Sequence, residues 1–287
     1  MTLKHLSYQK TGYFSELMID YLAEKEDLLP FFGRFPSIEN FEEQFNEKRK
    51  SFSKKKRDVL VASLTKQYMG FEVSKLTQKN IDLLLNENTF TITTGHQLNL
   101  FTGPLYFLYK IISVINLSEQ LNKKYTKQHF VPVYWMASED HDFNEINFFN
   151  LFGKKINWDR ESGGALGDLD THGLDELLKT LKYLIPESEN SKKLIDLFSN
   201  SYLKYDNLSD ATRYLANQLF AEYGLVIVDG NHRALKDEFA PFVQKELIEK
   251  KSVTIINKTT ERLEAIAYKK QVHPREINLF YITKGVR

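Results

Sequence analysis

Three apolar, strand-like runs in this chain each end in a cluster of small, polar and ionisable residues, and every cluster holds a histidine. Phe90-Thr91-Ile92-Thr93-Thr94 runs into Gly95-His96-Gln97. Phe130 to Ala137 runs into Ser138-Glu139-Asp140-His141-Asp142, and Leu225-Val226-Ile227-Val228 into Asp229-Gly230-Asn231-His232-Arg233. In an open parallel sheet covered by helices, ligands bind at the carboxyl ends of the strands. The expectation is that the three strands are neighbours and that their polar ends line one cleft.

Strand-like and helical patterns alternate from residue 89 onward. Strands are expected at 89–94, 130–137, 224–229 and 252–256, with a last candidate at Leu279-Phe280-Tyr281. Helices are expected at 104–123, 172–184, 190–202, 208–223, 232–250 and 258–268. Such βαβ alternation implies an α/β fold with a mostly parallel sheet, flanking helices and right-handed crossovers. Tyr106, Leu108, Ile111, Ile112, Ile115 and Leu117 suggest a helix packed between the sheet and another layer, and Trp135 reads as core. The glycine-rich stretch 146–170 reads as irregular, and the region 146–205 as a connecting insertion.

Residues 1–88 read as a helical N-terminal region and 89–287 as the core. Phe14, Leu17, Met18, Tyr21 and Leu22 recur at helical spacing. Ser37 is a candidate cap for a helix bearing Phe41 and Phe45. Lys54-Lys55-Lys56-Arg57, after Ser53, reads as the solvated first turn of a helix that Gly70 stops. Thr77 is a candidate cap for the next helix. With no helix after the last strand candidate, the core reads as incomplete at the C-terminus.

Composition narrows the chemistry. There is no cysteine, hence no disulfide, thiolate metal site or cysteine nucleophile. A net charge of +1 offers no broad attraction to nucleic acid or to a membrane surface. No run approaches the roughly 20 apolar residues of a membrane-spanning helix, and no signal core opens the chain, so a cytoplasmic address is expected. Neither a P-loop, nor a Gly-x-Gly-x-x-Gly turn, nor Gly-x-Ser-x-Gly occurs.

The polar clusters carry the candidate chemistry. Gly95 would turn the backbone sharply and bring His96 to the mouth of the cleft. Thr102-Gly103-Pro104 opens a helix whose free N–H groups favour an anion. In the second cluster Asp140 and Asp142 face together with His141 opposed, and one carboxylate would orient a histidine as general base. Arg233 suits a bidentate clamp on a carboxylate. His96, Asp140, His141, Asp142 and His232 are metal-ligand types. Asp140, Asp142 and Asn144 even imitate the start of a calcium loop, but its sixth position is Glu145 and its twelfth Leu151. No His-Glu-x-x-His occurs either, and no metal is expected.

These residues resemble a known family, the bacillithiol biosynthesis cysteine-adding enzymes, BshC. The resemblance rests on Thr94-Gly95-His96-Gln97, Leu100-Phe101-Thr102-Gly103-Pro104-Leu105-Tyr106 and Lys110 to Ile115. It rests equally on Val131 to Ile146, with Ser138-Glu139-Asp140-His141-Asp142 at its centre, on Val272 to Tyr281, and on Phe14 to Phe32. The resemblance implies a Rossmann-like core interrupted by connecting segments, and a coiled coil through which the full-length protein forms a homodimer. This chain stops before that coiled coil. The implied activity joins L-cysteine to glucosaminyl malate in the last step of bacillithiol synthesis. The core is similar to nucleotidyltransferases and class I aminoacyl-tRNA synthetases, whose His-x-Gly-His motif corresponds to Thr93-Thr94-Gly95-His96, with threonine in the first histidine's place.

An amide does not form from a free carboxylate in water without activation, so a nucleotide, ATP or ADP, is implied. The attacking amine must be neutral and needs a base: His141 or His96, oriented by Asp140 or Asp142. Thr94, Gly95, Gln97, Gly103, Ser138, Glu139 and Asn231 complete the expected substrate site, with Lys110 and Arg233 as anchors for the malate carboxylates. Two other classes remain open: a metal-assisted hydrolase acting on a sugar conjugate, and a non-catalytic module binding a small anion.

Overall fold

The computed structural model describes residues 4–283. Helices α1 (Tyr8–Thr11), α2 (Glu16–Leu22), α3 (Phe41–Ser51), α4 (Lys54–Gln67) and α5 (Lys75–Leu83) precede strand β1 (Thr89–His96). Helix α6 (Tyr106–Lys124) leads to β2 (His129–Met136). A single turn, α7 (Phe143–Ile146), and a hairpin of β3 (Phe148–Leu151) and β4 (Lys154–Asn157) follow. Then come α8 (Leu174–Leu184), α9 (Glu189–Tyr202), α10 (Leu208–Phe220), β5 (Val226–Asp229), α11 (Arg233–Glu249) and α12 (Lys251–Ala265). Two compact units result: a larger one built on Arg49–Glu238, and a smaller one built on the chain up to Lys48 together with Phe239–Leu279.

In the larger unit β1, β2 and β5 form a parallel sheet in the order β1-β2-β5. This is the Rossmann-like arrangement. As the middle strand, β2 is covered on both faces, which explains its unbroken apolar run from Phe130 to Tyr134. Pro132 pairs with Ile92 of β1 and lies one residue before β5 joins. Helix α6 buries Phe107, Ile111, Val114, Ile115, Ser118 and Leu121, a stripe at spacings of three and four. Tyr106, Tyr109 and Ile112 stay exposed, so α6 is buried along one face and not all round.

The outer edge of β5 is closed by side chains. The Tyr68 hydroxyl accepts the Ile227 N–H at 2.8 Å, and Arg213 Nη1 donates to the Ile227 carbonyl at 2.8 Å. Gln67 brackets Asp229, accepting its N–H and donating to its carbonyl, each at 2.9 Å. A second Arg213 bond, from Nη2 to Gln67 Oε1 at 2.8 Å, fixes that amide. These groups do for β5 what a further strand would otherwise do.

Several local expectations change. Residues 252–256 are not a strand, since α12 runs unbroken through them and through the helix expected after them. Leu279-Phe280-Tyr281 forms no strand. Ser53 does cap α4, and Lys54 to Lys56 are exposed, but Arg57 is 4% exposed and donates to the carbonyls of Leu84, Thr89 and Glu87. The cap of α5 is Ser74; Thr77 lies within the helix and donates to the carbonyls of Ala221 and Leu225. The stretch read as irregular holds the β3–β4 hairpin, whose Phe152-Gly153 turn has positive φ at both positions, as a type I′ turn requires.

The smaller unit is helical and tied by polar contacts. Asp20 accepts from Tyr268 Oη at 2.5 Å and from Lys25 Nζ at 3.1 Å, while Arg34 pairs with Glu43 and Glu47. Among the described residues, no helix is long and apolar enough to cross a membrane.

Candidate active site

Register brings the three polar ends together. His96 pairs with Met136 and Met136 with Asp229, so the segments that follow all leave from one rim of the sheet. The Ala137 N–H extends the ladder to the His96 carbonyl at 3.0 Å. Gly95 continues the strand and makes no turn; a Cβ there would meet only the Trp135 carbonyl, at 3.8 Å. The polypeptide turns after His96 instead. Trp135 is 42% exposed and is not core; Gly230 packs on its indole so closely that a Cβ would lie 2.4 Å from Cζ2.

The rim is a network braced from behind. Asp140 Oδ1 accepts the N–H groups of His141 (2.7 Å) and Asp142 (3.1 Å), and Oδ2 accepts from Gln97 Nε2 at 2.8 Å. The same Gln97 nitrogen bonds Glu145. Ser138 donates to Asp229, whose Oδ1 also accepts the Asn231 N–H at 2.8 Å. Behind the Ser138–Asp142 turn, Leu166 N–H reaches the Asp140 carbonyl and Gly167 N–H the Ser138 carbonyl. Asp140 is therefore a saturated acceptor that shapes its own turn. His141 is not turned away from it, for its Nδ1 lies 3.7 Å from Asp140 Oδ1.

Beside this network opens a cavity of about 810 Å³. His96, Gln97, Asn99 and Glu145 form its polar end; Leu105, Tyr106, Phe148 and Phe149 supply apolar wall. The loop on its near side is strained. Phe101, Thr102 and Gly103 have φ of 52°, 71° and 54° in succession. A β-branched threonine at positive φ is an outlier, and such residues persist only where their surroundings over-determine them. Here the Phe101 N–H bonds the Tyr202 hydroxyl at 3.0 Å, and its ring packs on Phe149, Phe198 and Tyr202.

Of the residues singled out in the sequence, His96, Gln97 and Gly103 line the cavity, and Asp140 is one bond behind it. Thr94 is on the same strand face as His96, two residues earlier. Ser138 and Glu139 join the third cluster, Glu139 through Lys236 at 3.1 Å. His141, Asp142, Asn231, Lys110 and Arg233 do not line the cavity. Lys110 Nζ lies 5.0 Å over the Tyr106 ring, and Arg233 is an exposed partner of Asp237 at 2.8 Å. Asn99 and Glu145 belong to the cavity without having been singled out. Both stand inside distinctive blocks, Asn99 two residues after Gln97 and Glu145 at the end of the acidic run.

The two central ionisable groups are pushed oppositely to their usual roles. Burial lowers the His96 pKa, aided by Lys110 and opposed by the Gln97 carbonyl and the Asn99 side chain, so the ring is a free base at neutral pH. At Asp140, burial acts upward, but bonds from Gln97 and the two backbone N–H groups, with His141 nearby, outweigh it and leave the carboxyl below its ordinary value. Among the described residues, no group of three or more His, Asp or Glu is arranged to hold a metal.

The family model described as "Bacillithiol biosynthesis BshC, N-terminal Rossmann-like domain" matches residues 1–287. A protein of Flavobacterium johnsoniae named "Putative cysteine ligase BshC" is 54% identical over 282 residues, covering 98% of this chain and 53% of its own length. Proteins of the same name from Christiangramia forsetii and Staphylococcus saprophyticus are 51% and 32% identical, covering 98% and 80% of this chain and 53% and 46% of theirs. The chain thus spans about half the length of the curated relatives it matches. With a matching model over its full length and a parallel sheet to go with it, the chain belongs to the BshC family, whose N-terminal Rossmann-like domain it carries.

Proposed function

We propose that this domain takes part in joining L-cysteine to glucosaminyl malate, the closing step of bacillithiol synthesis, and that its cavity receives the amine-bearing sugar. The observation that carries this is the character of the polar end: one carboxylate, one imidazole kept neutral by burial, two side-chain amides, and no lysine or arginine. Glu145 attracts an ammonium group. His96 then removes the proton that prevents the amine from attacking, and the amine forms a C–N bond to a cysteine carboxyl that arrives already activated. The proton ends on the His96 ring. Gln97 holds Glu145 and Asp140 in place, and Asp140 fixes the turn that carries them.

The lining does not fit the phosphates of a nucleotide. A triphosphate would face Glu145 and meet no cationic side chain there. No step is therefore assigned to ATP or ADP in this cavity.

The test is turnover of L-cysteine and glucosaminyl malate by the full-length protein. His96→Ala lowers the rate by about 100-fold or more while circular dichroism stays unchanged, as loss of a general base does. His141→Ala, outside the cavity, costs less. Equal losses in the two variants, or an unaffected His96→Ala, would remove the assignment of His96.

A further inference from the structure

Asn99 is the one polar side chain of the cavity with an unmet demand. It is 8% exposed, and its Oδ1 is buried with no hydrogen-bond partner. Which end of the amide is oxygen is settled by the other end, since Nδ2 donates to the Glu145 carbonyl at 3.2 Å. Room for the side chain depends on Gly103, where a Cβ would lie 2.4 Å from Asn99 Cβ. A buried acceptor without a donor is costly, and natural proteins keep few of them.

The group beside it explains the vacancy. The Asn99 side chain lies against the His96 imidazole, and contact with it favours the protonated ring. In the neutral ring only one nitrogen carries a hydrogen, and Nδ1 already faces the Gln97 carbonyl at 3.1 Å. Protonation adds a second N–H. From this arrangement we infer that Asn99 is the positioning residue of His96: its side-chain oxygen is the acceptor that the ring takes up when it becomes an imidazolium. This rests on the reading of His96 as the base. It also gives the orphan oxygen a use, because the bond it makes is strongest after proton transfer, the only kind that speeds the step.

Other groups around the ring do not supply that acceptor. Lys110, from α6, opposes the charge. Tyr106 and Phe107 present ring edges, and Tyr134 donates to the His96 backbone carbonyl. Glu145 and Asp140 are engaged by Gln97.

The experiment is an imidazole NMR titration of His96 in the protein and in Asn99→Leu and Asn99→Asp. Asn99→Leu keeps the volume and removes the oxygen; the His96 midpoint falls by about half a unit to one unit. Asn99→Asp keeps an oxygen in place and adds charge; the midpoint rises by about one unit or more, and a contact pair retains the rise in about 1 M salt, where distant charges are screened. A purely structural asparagine would lower the melting temperature in both variants without moving the titration in opposite directions. A midpoint unmoved in Asn99→Leu overturns the inference. If that variant does not fold, a rise in Asn99→Asp that vanishes in salt overturns it equally. The expected shifts together with an active His96→Ala would retain the pairing and overturn the base assignment alone.

Discussion

Replacing Tyr68 by phenylalanine isolates one of the side chains that close the edge of β5. The hydroxyl accepts the Ile227 N–H at 2.8 Å, Tyr68 is 5% exposed, and Ile227 is fully buried. Tyr68→Phe keeps the ring, its 5.1 Å contact with the Arg213 guanidinium and nearly all the volume. What it leaves is a buried N–H with no acceptor and no route for water. Such an orphan costs about 1–3 kcal/mol, and the intact packing around it argues for about 2 kcal/mol. For a unit of this size that is a drop of about 4–8 °C in melting temperature. Urea unfolding followed through Trp135 and Trp158, both in the larger unit, reads it directly: the midpoint falls by about 1 M at constant slope. Tyr183→Phe, at a site 88% exposed, is the control and changes nothing. A loss under about 0.5 kcal/mol, or one confined to the slope, would show that the hydroxyl does not close this edge. Activity per folded molecule stays unchanged, because Gln67 still holds Asp229.

Gly103→Ala forces a Cβ into a glycine-only conformation (φ 54°, ψ −135°) and onto Asn99; it costs about 1–3 kcal/mol and lowers turnover beyond what the melting temperature accounts for. Gly167→Ala places a Cβ 2.3 Å from Ser209 Oγ and 2.6 Å from Ser138 Cβ, so the braced turn must move; melting should record about 1–3 kcal/mol of overpacking. Asp170 has its pKa lowered to about 2, first by the Arg160 side chain and then by the His172 N–H. Its stabilisation is complete above the unfolded value of 3.8 and is lost as pH falls through about 2; carboxyl NMR should show that midpoint, and Arg160→Gln should return it toward 3.8.

The strand ends were legible because each combines two signals, a buried apolar run and an abrupt change to polar residues. Parallel pairing then turns three separate clusters into one rim with no further information. The strand expected at 252–256 failed for a specific reason. Ser252-Val253-Thr254-Ile255-Ile256 is rich in β-branched residues, but that preference is a weak prior and its context is helical. Lys250, at φ 48°, breaks the chain between α11 and α12, and Thr259 folds back on the Ile255 carbonyl as helical threonines do. Arg57 misled because a charge run is normally solvated; its fourth member instead supplies donors to a turn whose three carbonyls have no strand or helix to bond. The cavity was harder to see. One wall comes from β3, inside the segment read as irregular, and Asn99 stands between two buried leucines, where nothing in the residue types marks it.

The positive-φ loop ties these features together. Three successive residues in the left-handed region cost on the order of 1–3 kcal/mol each, yet the aromatic cluster around Phe101 holds them there. A relaxed connection from β1 to α6 would avoid that cost. The strained one places Asn99 against His96 and Gly103 against Asn99, so the residues that meet the ring come from the few positions immediately after it in sequence. Precision is thus achieved locally, by a loop that cannot relax without unpacking Phe101. The longer-range contacts, Gln97 to Asp140 and Glu145, only have to align the two rims of the cavity. Mutations that loosen the Phe101 cluster far from any polar group should therefore disturb His96 more than mutations of the exposed Arg233 or Asp142, although the latter look more chemical in the sequence.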